Sequence, residues 1–524
     1  MSSPSPIVGA SALAPSRPTR EVVLSGAMVS LAALVALYVA LRVPQPNPLL
    51  AFALILGALA VVALMVIPRL EVTVCVLALY LGLLDGPVKL LSASQAASSV
   101  RDVLIAAVSI GALVRLTARR EPVRLPPLFG WVLVFVLLVL AEAFNPSTHG
   151  TLKILGGFRQ QLEWVPFFFF GYALMRSKER LRKMFAILGV IALANGVVSA
   201  YQTRLTPAQL ASWGPGYAER VNGTETLTAR RYIGGGGEAL VRPLGLGSDS
   251  GFGGGVGVIA LPGVLALLAT GTGRRRWFAV LLLLGAMLAV ATGLGRLQVV
   301  GSVIAIAVFA LLSLSAGARA RRTLAALCVL LALAIPFGIV LVAAEGSGVF
   351  SRYTSIAPSS VVSTSTSYKE QSLGLIPHYL AHAPFGFGLA TAGPATTFGG
   401  KVKGELEGHG VTAETQYNYV VDELGMPGLL LFVGLLLTLG TLVVLRLPRV
   451  PDPEARIDLA AVFAPIFALA VMGLRGAFTD TAAGGPYFWF AVGIAAYWLA
   501  GPLRAGAKAR IGTGRDGTPA PALS

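Results

Sequence analysis

The chain has 524 residues, of which 55% are hydrophobic and only 12% charged, and its mean hydropathy is +0.76. That balance excludes a soluble globular domain and makes lipid the solvent. A formal net charge of +17 does not indicate a nucleic-acid binder, because Lys and Arg punctuate apolar blocks instead of gathering on one face or arm.

Taken in order, the apolar blocks predict an all-α integral membrane fold, with about 14 transmembrane helices and two long extracytoplasmic loops, since a bilayer core takes roughly 20 apolar residues per helix. Residues 1–21 form a cytoplasmic tail rich in Ser and Pro. No small-residue cleavage site follows, so the first span is expected to be retained. Spans near 22–42, 48–67, 72–90, 102–118, 127–145, 161–175 and 184–203 make a first bundle over 22–203. An outer loop, 204–249, precedes four central spans near 250–271, 277–294, 297–316 and 323–344. The larger outer loop, 345–424, is expected to fold two short helices over the mouth of the bundle, one in "KEQSLGLIPHYLAHAPFGFGLA" and one in "TAETQYNYVVDELG". Spans near 425–446, 458–475 and 486–502 close the chain, and 503–524 reads as a disordered cytoplasmic tail.

Basic residues orient this topology, because short cytoplasmic loops retain Lys and Arg. With both termini inside a cell's inner membrane, 25 of the 41 Lys and Arg residues fall on the cytoplasmic side, including the cluster from Arg176 to Lys183. Nine of the rest lie in the two long loops, which cross regardless of charge, leaving seven in short outer segments. Cys75 and Cys328 both sit in apolar blocks, so neither a disulfide framework nor a cysteine metal site is indicated. Asp85, Asp102, Glu142, Glu163 and Asp458 lie towards span ends, and so do not make the mid-membrane carboxylate relay of a proton-coupled pump.

Ionisable groups near membrane depth are candidates for function. Arg296, in "ATGLGRLQVV", occupies a very short outer turn, as either a snorkelling residue or part of a site. Arg242, in "LVRPLGLGSDSGFGGG", stands at the start of a span, against headgroups or beside a substrate brought close by Gly-rich backbone. Arg230 and Arg231 read as a solvated pair. Arg352, Lys369, His378, His382 and Glu414 fall in or beside the larger outer loop. His378 and His382 share a helical face, but no HExxH carboxylate accompanies them, and an acid–base or hydrogen-bonding role fits either better than zinc.

Three blocks resemble the O-antigen ligase and O-antigen polymerase family. These are "VRPLGLGSDSGFGGGVGVIALP", the hairpin "LAVATGLGRLQVVGSVIAIAVF", and the large loop with its Pro-x-Gly-x-Gly turn followed by a Glu-x-Gly-x-x-Gly run into the next span. Where ligases of that family carry His-Asn, this chain has Glu414 and Thr415, which tilts the resemblance towards a polymerase. Lys369 stands where an Arg is common, and Arg296 is shifted by one residue. The resemblance implies a glycosyltransferase that needs neither metal nor cofactor. Its partners would be a polyprenyl-diphosphate-linked glycan, a glycan acceptor and membrane lipid. Arg242, Arg296 and Arg352 or Lys369 would hold the diphosphate, Glu414 or His378 would act as base, and Tyr417 would lie beside substrate. A ligase, or a transporter of lipid-linked sugar or anion, is the alternative.

Overall fold

The structure is a computed structural model that describes residues 61–119, 125–222, 231–233, 239–316, 373–397 and 415–501, with gaps at 68, 93–94, 147 and 149, together with isolated positions 57, 328, 331, 334, 338 and 353. The expected spans 22–42 and 323–344, most of 48–67, and the tail from 503 lie outside the described residues or are described only at isolated positions.

Helices dominate. In chain order they are α1 (Leu70–Ser92), α2 (Gln95–Arg119), α3 (Phe129–Glu142), α4 (Thr151–Leu162), α5 (Pro166–Leu174), α6 (Lys178–Gln202), α7 (Pro207–Ala211) and α8 (Pro215–Asn222). A two-stranded antiparallel hairpin follows, β1 (Arg231–Ile233) and β2 (Ala239–Val241). Next come α9 (Phe252–Thr270), α10 (Arg274–Thr292), α11 (Arg296–Ser313), α12 (Ile376–His382), α13 (Gln416–Arg446), α14 (Pro453–Met472) and α15 (Gly484–Trp498). Seven stretches among the described residues are long and apolar enough to cross a membrane: α1, α6, α9, α10, α11, α13 and α14. The chain is thus a mainly helical, membrane-embedded protein.

Two compact units divide the chain, Met1–Val74 with Asp102–Arg124, and Cys75–Arg101 with Leu125–Ser524. In the first, the Arg115 side chain donates to the Ile67 carbonyl (2.6 Å), occupying a carbonyl left open where the helical turn at 61–66 ends.

In the second unit α9 is the central helix, packed by α6, α10, α11 and α14. Its glycines bring neighbouring backbones close, and a Cβ at Gly257 would lie 2.9 Å from the Ala286 carbonyl of α10. The pair α5 and α15 uses the same device: a Cβ at Gly171 would collide with the Phe490 carbonyl, and one at Gly493 with the Phe168 carbonyl. Beyond this contact, Trp498 donates its indole N–H to the Met175 carbonyl at 2.7 Å.

The N-termini of α6 and α14 are stapled by charge. Lys178 meets Asp452 (2.7 Å) and Glu454 (2.9 Å), while Arg182 meets Glu454 (3.0 Å) and the buried Asp458 (3.1 Å). Two cations of the basic cluster from Arg176 to Lys183 are thereby paired within the fold.

Element ends differ from the sequence expectation in one informative place. The block 161–175 is divided, because Glu163 ends α4 and Pro166 opens α5 at a position where its missing N–H costs nothing. The second short helix expected in the large loop is present as the part of α13 from Gln416 to the non-helical Gly425, and the span expected from 425 follows that break.

A Gly493→Val substitution should cost about 1–3 kcal/mol by overpacking the α5–α15 contact, read as a lower melting midpoint of the detergent-solubilised protein. An unchanged midpoint would contradict that contact.

Candidate functional site

The site grows from a break in α13. Pro427 has no N–H to offer the carbonyl four residues back, and Gly425 adopts φ 60° and ψ −154°, a conformation closed to other residues at low energy. The ordinary helical bond from the Met426 N–H to the Asp422 carbonyl is not made. Instead Met426 N–H donates to the Pro384 carbonyl (2.8 Å), and the Asp422 carbonyl accepts from Phe387 N–H (2.6 Å). The Pro384–Gly388 turn is thus set into the broken helix. A Cβ at Gly425 would strike the Pro384 carbonyl, and one at Gly386 would lie 2.6 Å from the Glu423 carbonyl.

Beside the break, Asp422 and Glu423 are both fully buried. Glu423 accepts from the side-chain amides of Gln160 (2.9 Å) and Gln161 (2.6 Å) and, at 3.4 Å, from the Ala392 N–H. Gln160 also gives its amide to the Ala392 carbonyl (3.1 Å) and takes the Ala395 N–H on its own carbonyl (2.9 Å). Lys153, one to two turns earlier on α4, donates to the Thr396 carbonyl at 2.6 Å. Burial lowers the pKa of its ammonium, and the nearby Glu423 opposes that shift. Thr148 accepts the Leu389 N–H at 3.0 Å, and Asn145 donates to the Gly386 carbonyl at 3.3 Å. The stretch from Gly386 to Thr397 is therefore held along its length by residues 145–161 and by Glu423.

Short helix α12 leads into this turn. Its Tyr379 is buried and packs edge-on against Phe387. Burial, with the charge of Asp422 adding to it, pushes the Tyr379 phenol up to about 12. His378 and His382 face outwards, both exposed, with ring centroids 4.1 Å apart and His382 Nδ1 2.9 Å from the His378 carbonyl.

The first long loop is moored in the same manner. On α6, Asn195 and Gln202 project to one side; Gln202 accepts from Leu244 N–H (2.9 Å) and Gly245 N–H (2.8 Å), and Asn195 accepts from Leu246 N–H (2.9 Å). These bonds fix the backbone that follows the half-buried Arg242. The Gly-rich start of α9 then lies against Gln298 of α11, so the blocks carrying Arg242 and Arg296 meet. Arg296 is the exposed first residue of α11. Tyr353, fully buried, donates to the Ala291 carbonyl (2.9 Å) at the end of α10, bringing the second long loop to the same hairpin.

Gln416, at the start of α13, accepts from Phe478 N–H and Thr479 N–H at 2.8 and 2.9 Å. A small cleft is lined by Gln160, Gln161 and Gln416 together with the aromatic rings of Trp131, Phe432 and Trp489. Just outside it, burial pushes the Asp480 carboxyl up to about 6, with Asp249 adding to the shift.

Of the residues singled out from sequence, His378 lies on the short helix that leads into the docked turn, Arg242 and Arg296 lie in the two blocks that meet, and the Tyr417 hydroxyl donates to the Ala470 carbonyl at 2.9 Å. Glu414, Arg352, Lys369 and Arg230 lie outside the described residues. Thr415 is described and serves as the N-cap of α13, accepting from Asn418 N–H. Sequence reasoning missed Gln160, Gln161, Lys153, Asn195, Gln202 and Glu423. The signal for one pair was present, since Asn195 and Gln202 stand seven residues apart on one face of an otherwise apolar helix. Among the described residues, no three His, Cys, Asp or Glu side chains come together to hold a metal ion.

A buried four-charge network stands behind α4. Lys89 pairs with Asp85 at 2.6 Å, Arg101 pairs with Glu163, and the Arg101 guanidinium lies 4.8 Å from the centre of the Trp164 ring. Lys89 and Arg101 thus sit within a balanced cluster.

The fold and site define a membrane-embedded helical protein whose two long loops are anchored to helices by side-chain amides. No family model, curated protein or solved structure matches the chain.

Gly425→Ala should cost about 1–3 kcal/mol or more through backbone strain and lower the melting midpoint; a midpoint equal to wild type would contradict the break. For Asp480 the folded carboxyl titrates above its unfolded value of about 3.9, so the stability it contributes is complete below about pH 4 and lost as pH rises through about 6. Asp480→Asn should accordingly gain stability relative to wild type between pH 4 and 7, and a difference that stays constant across that range would contradict the burial of its charge.

Proposed function

We propose that the chain is a surface-polysaccharide polymerase of the inner membrane, transferring a polyprenyl-diphosphate-linked glycan to a sugar hydroxyl on the extracytoplasmic face. In this reading about 14 helices cross the bilayer, both termini are cytoplasmic, and both long loops are extracytoplasmic. The observation that carries it is the docking of the Pro384–Gly388 turn into the break at Gly425. These are the two halves of the strongest of the three family-like blocks, and they are far apart in sequence but joined in space.

The acceptor hydroxyl oxygen attacks the anomeric carbon. Its proton passes to a base, Glu414 or His378, and the bond from that carbon to the diphosphate oxygen breaks, releasing polyprenyl diphosphate. Cations that stabilise the leaving diphosphate matter most where water is excluded, the role assigned to Arg242, Arg296, and Arg352 or Lys369. Such a clamp needs no metal or cofactor. Tyr417 is assigned to the substrate side of the same region.

A transporter for lipid-linked sugar or an anion is the second reading, favoured by the break in α13, since transporters build their sites on discontinuous helices. Transfer to a lipid or other acceptor, as by a ligase, uses the same chemistry.

The test is the surface polysaccharide of a strain lacking the gene, resolved by chain length and complemented with wild type or Arg242→Ala. Polymerase function predicts loss of long chains, with single repeat units still on their acceptor, and no rescue by Arg242→Ala. Full-length polymer stranded on the lipid carrier would mean a ligase, and an unchanged profile would sink both transfer readings in favour of transport.

A further inference from the structure

The Glu423 carboxylate joins three separate parts of the chain: α13 at its break, the C-terminal end of α4, and the loop stretch from Gly388 to Thr397. Each of its oxygens is assigned. Oε1 takes Gln160 and the Ala392 N–H, and Oε2 takes Gln161. Gln160 cannot turn its amide around, because its own carbonyl already holds the Ala395 N–H. The cluster is fully buried at Glu423, and its donors are neutral amides, so it serves geometry and not the pairing of charges. Nearby Lys153 spends its ammonium on the Thr396 carbonyl of the same stretch. The 3₁₀ turn Gly393–Thr397 and the α13 cap at Thr415 both leave from segments tied to this carboxylate or its helix.

We propose that Glu423 is a positioning residue that moors the second long loop to α4 through Gln160 and Gln161, and that this mooring sets the loop for catalysis. The part concerning catalysis rests on the transferase reading above; the mooring itself does not.

Replacing Glu423 by Gln removes the charge that strengthens all three bonds and puts an N–H₂ opposite the Gln161 amide, which must turn over to accept it. Pairing it with Gln161→Glu restores the pattern. The carboxylate at 161 accepts from the new amide at 423, whose carbonyl still accepts from Gln160 and Ala392. A purely space-filling role would not be rescued by this exchange.

The experiment uses the full-length protein in lipid nanodiscs as wild type, E423Q, and E423Q/Q161E, with amide hydrogen exchange and transfer from a synthetic polyprenyl-diphosphate repeat unit measured on each. In E423Q the Ala392 and Ala395 amides should exchange on the order of tenfold faster, while those of α9 are unchanged, which also shows that the variant is folded. The kcat should fall, on the order of a hundredfold, with KM for the lipid-linked donor unchanged, and the double variant should recover both. Unaltered exchange in E423Q would overturn the mooring. Faster exchange with unchanged kcat, or loss that the double variant does not recover, would overturn the positioning role. If wild type itself transfers nothing, the transferase reading falls and takes the catalytic part of the proposal with it, while the mooring is decided by exchange alone.

Discussion

A backbone N–H or C=O removed from water must find a partner, and an unpaired one costs several kcal/mol in an apolar surround. At the break in α13 this single requirement decides the architecture. Gly425 and Pro427 interrupt the helix, and the groups released at Asp422 and Met426 are taken up by Phe387 and Pro384 of the second long loop. Helix and loop repair one another, so neither conformation stands without the other. The rest of the loop obeys the same rule, with its amides and carbonyls received by Asn145, Thr148, Lys153, Gln160 and Glu423.

The first long loop solves the problem with the same chemistry on a different helix. Asn195 and Gln202 of α6 supply acceptors to three consecutive N–H groups, Leu244 to Leu246. Amides suit the task because each offers donors and an acceptor without a charge to desolvate. Several charges within the fold are paired: Lys89 with Asp85, Arg101 with Glu163, and Arg182 with Asp458 and Glu454. Lys89 lies at the outer end of the span expected at 72–90, and Arg101 and Lys153 lie in short segments assigned to the outer side from sequence. All three are spent on partners within the protein, two on carboxylates and Lys153 on the Thr396 carbonyl.

How much could be read beforehand follows from what each feature leaves in one dimension. Long apolar runs are local, so α6, α9, α10, α11 and α14 stand close to where hydropathy put them. The short helix before Gly425 and the span after it were both legible in the spacing of apolar positions, whereas the turn that repairs the break between them was not. Gln160 and Gln161 look like ordinary residues between two spans, and only the fold brings Glu423 to them. The Pro-x-Gly-x-Gly turn and the Glu-x-Gly-x-x-Gly run were legible as separate motifs; that one docks into the other was not. His378 and His382 were correctly placed on one helical face, and their exposure was invisible in the spacing.

The whole arrangement depends on the Pro384–Gly388 turn occupying the break at Gly425 in the membrane-embedded protein. Phe385 and Met426 are both exposed at that junction, so the direct measurement is cross-linking between Phe385→Cys and Met426→Cys with a short bifunctional thiol reagent, in native membranes and with Cys75 and Cys328 replaced by Ser. Efficient cross-linking of the pair is expected. Two cysteines that each react fully with a monofunctional reagent, yet do not cross-link, would contradict it.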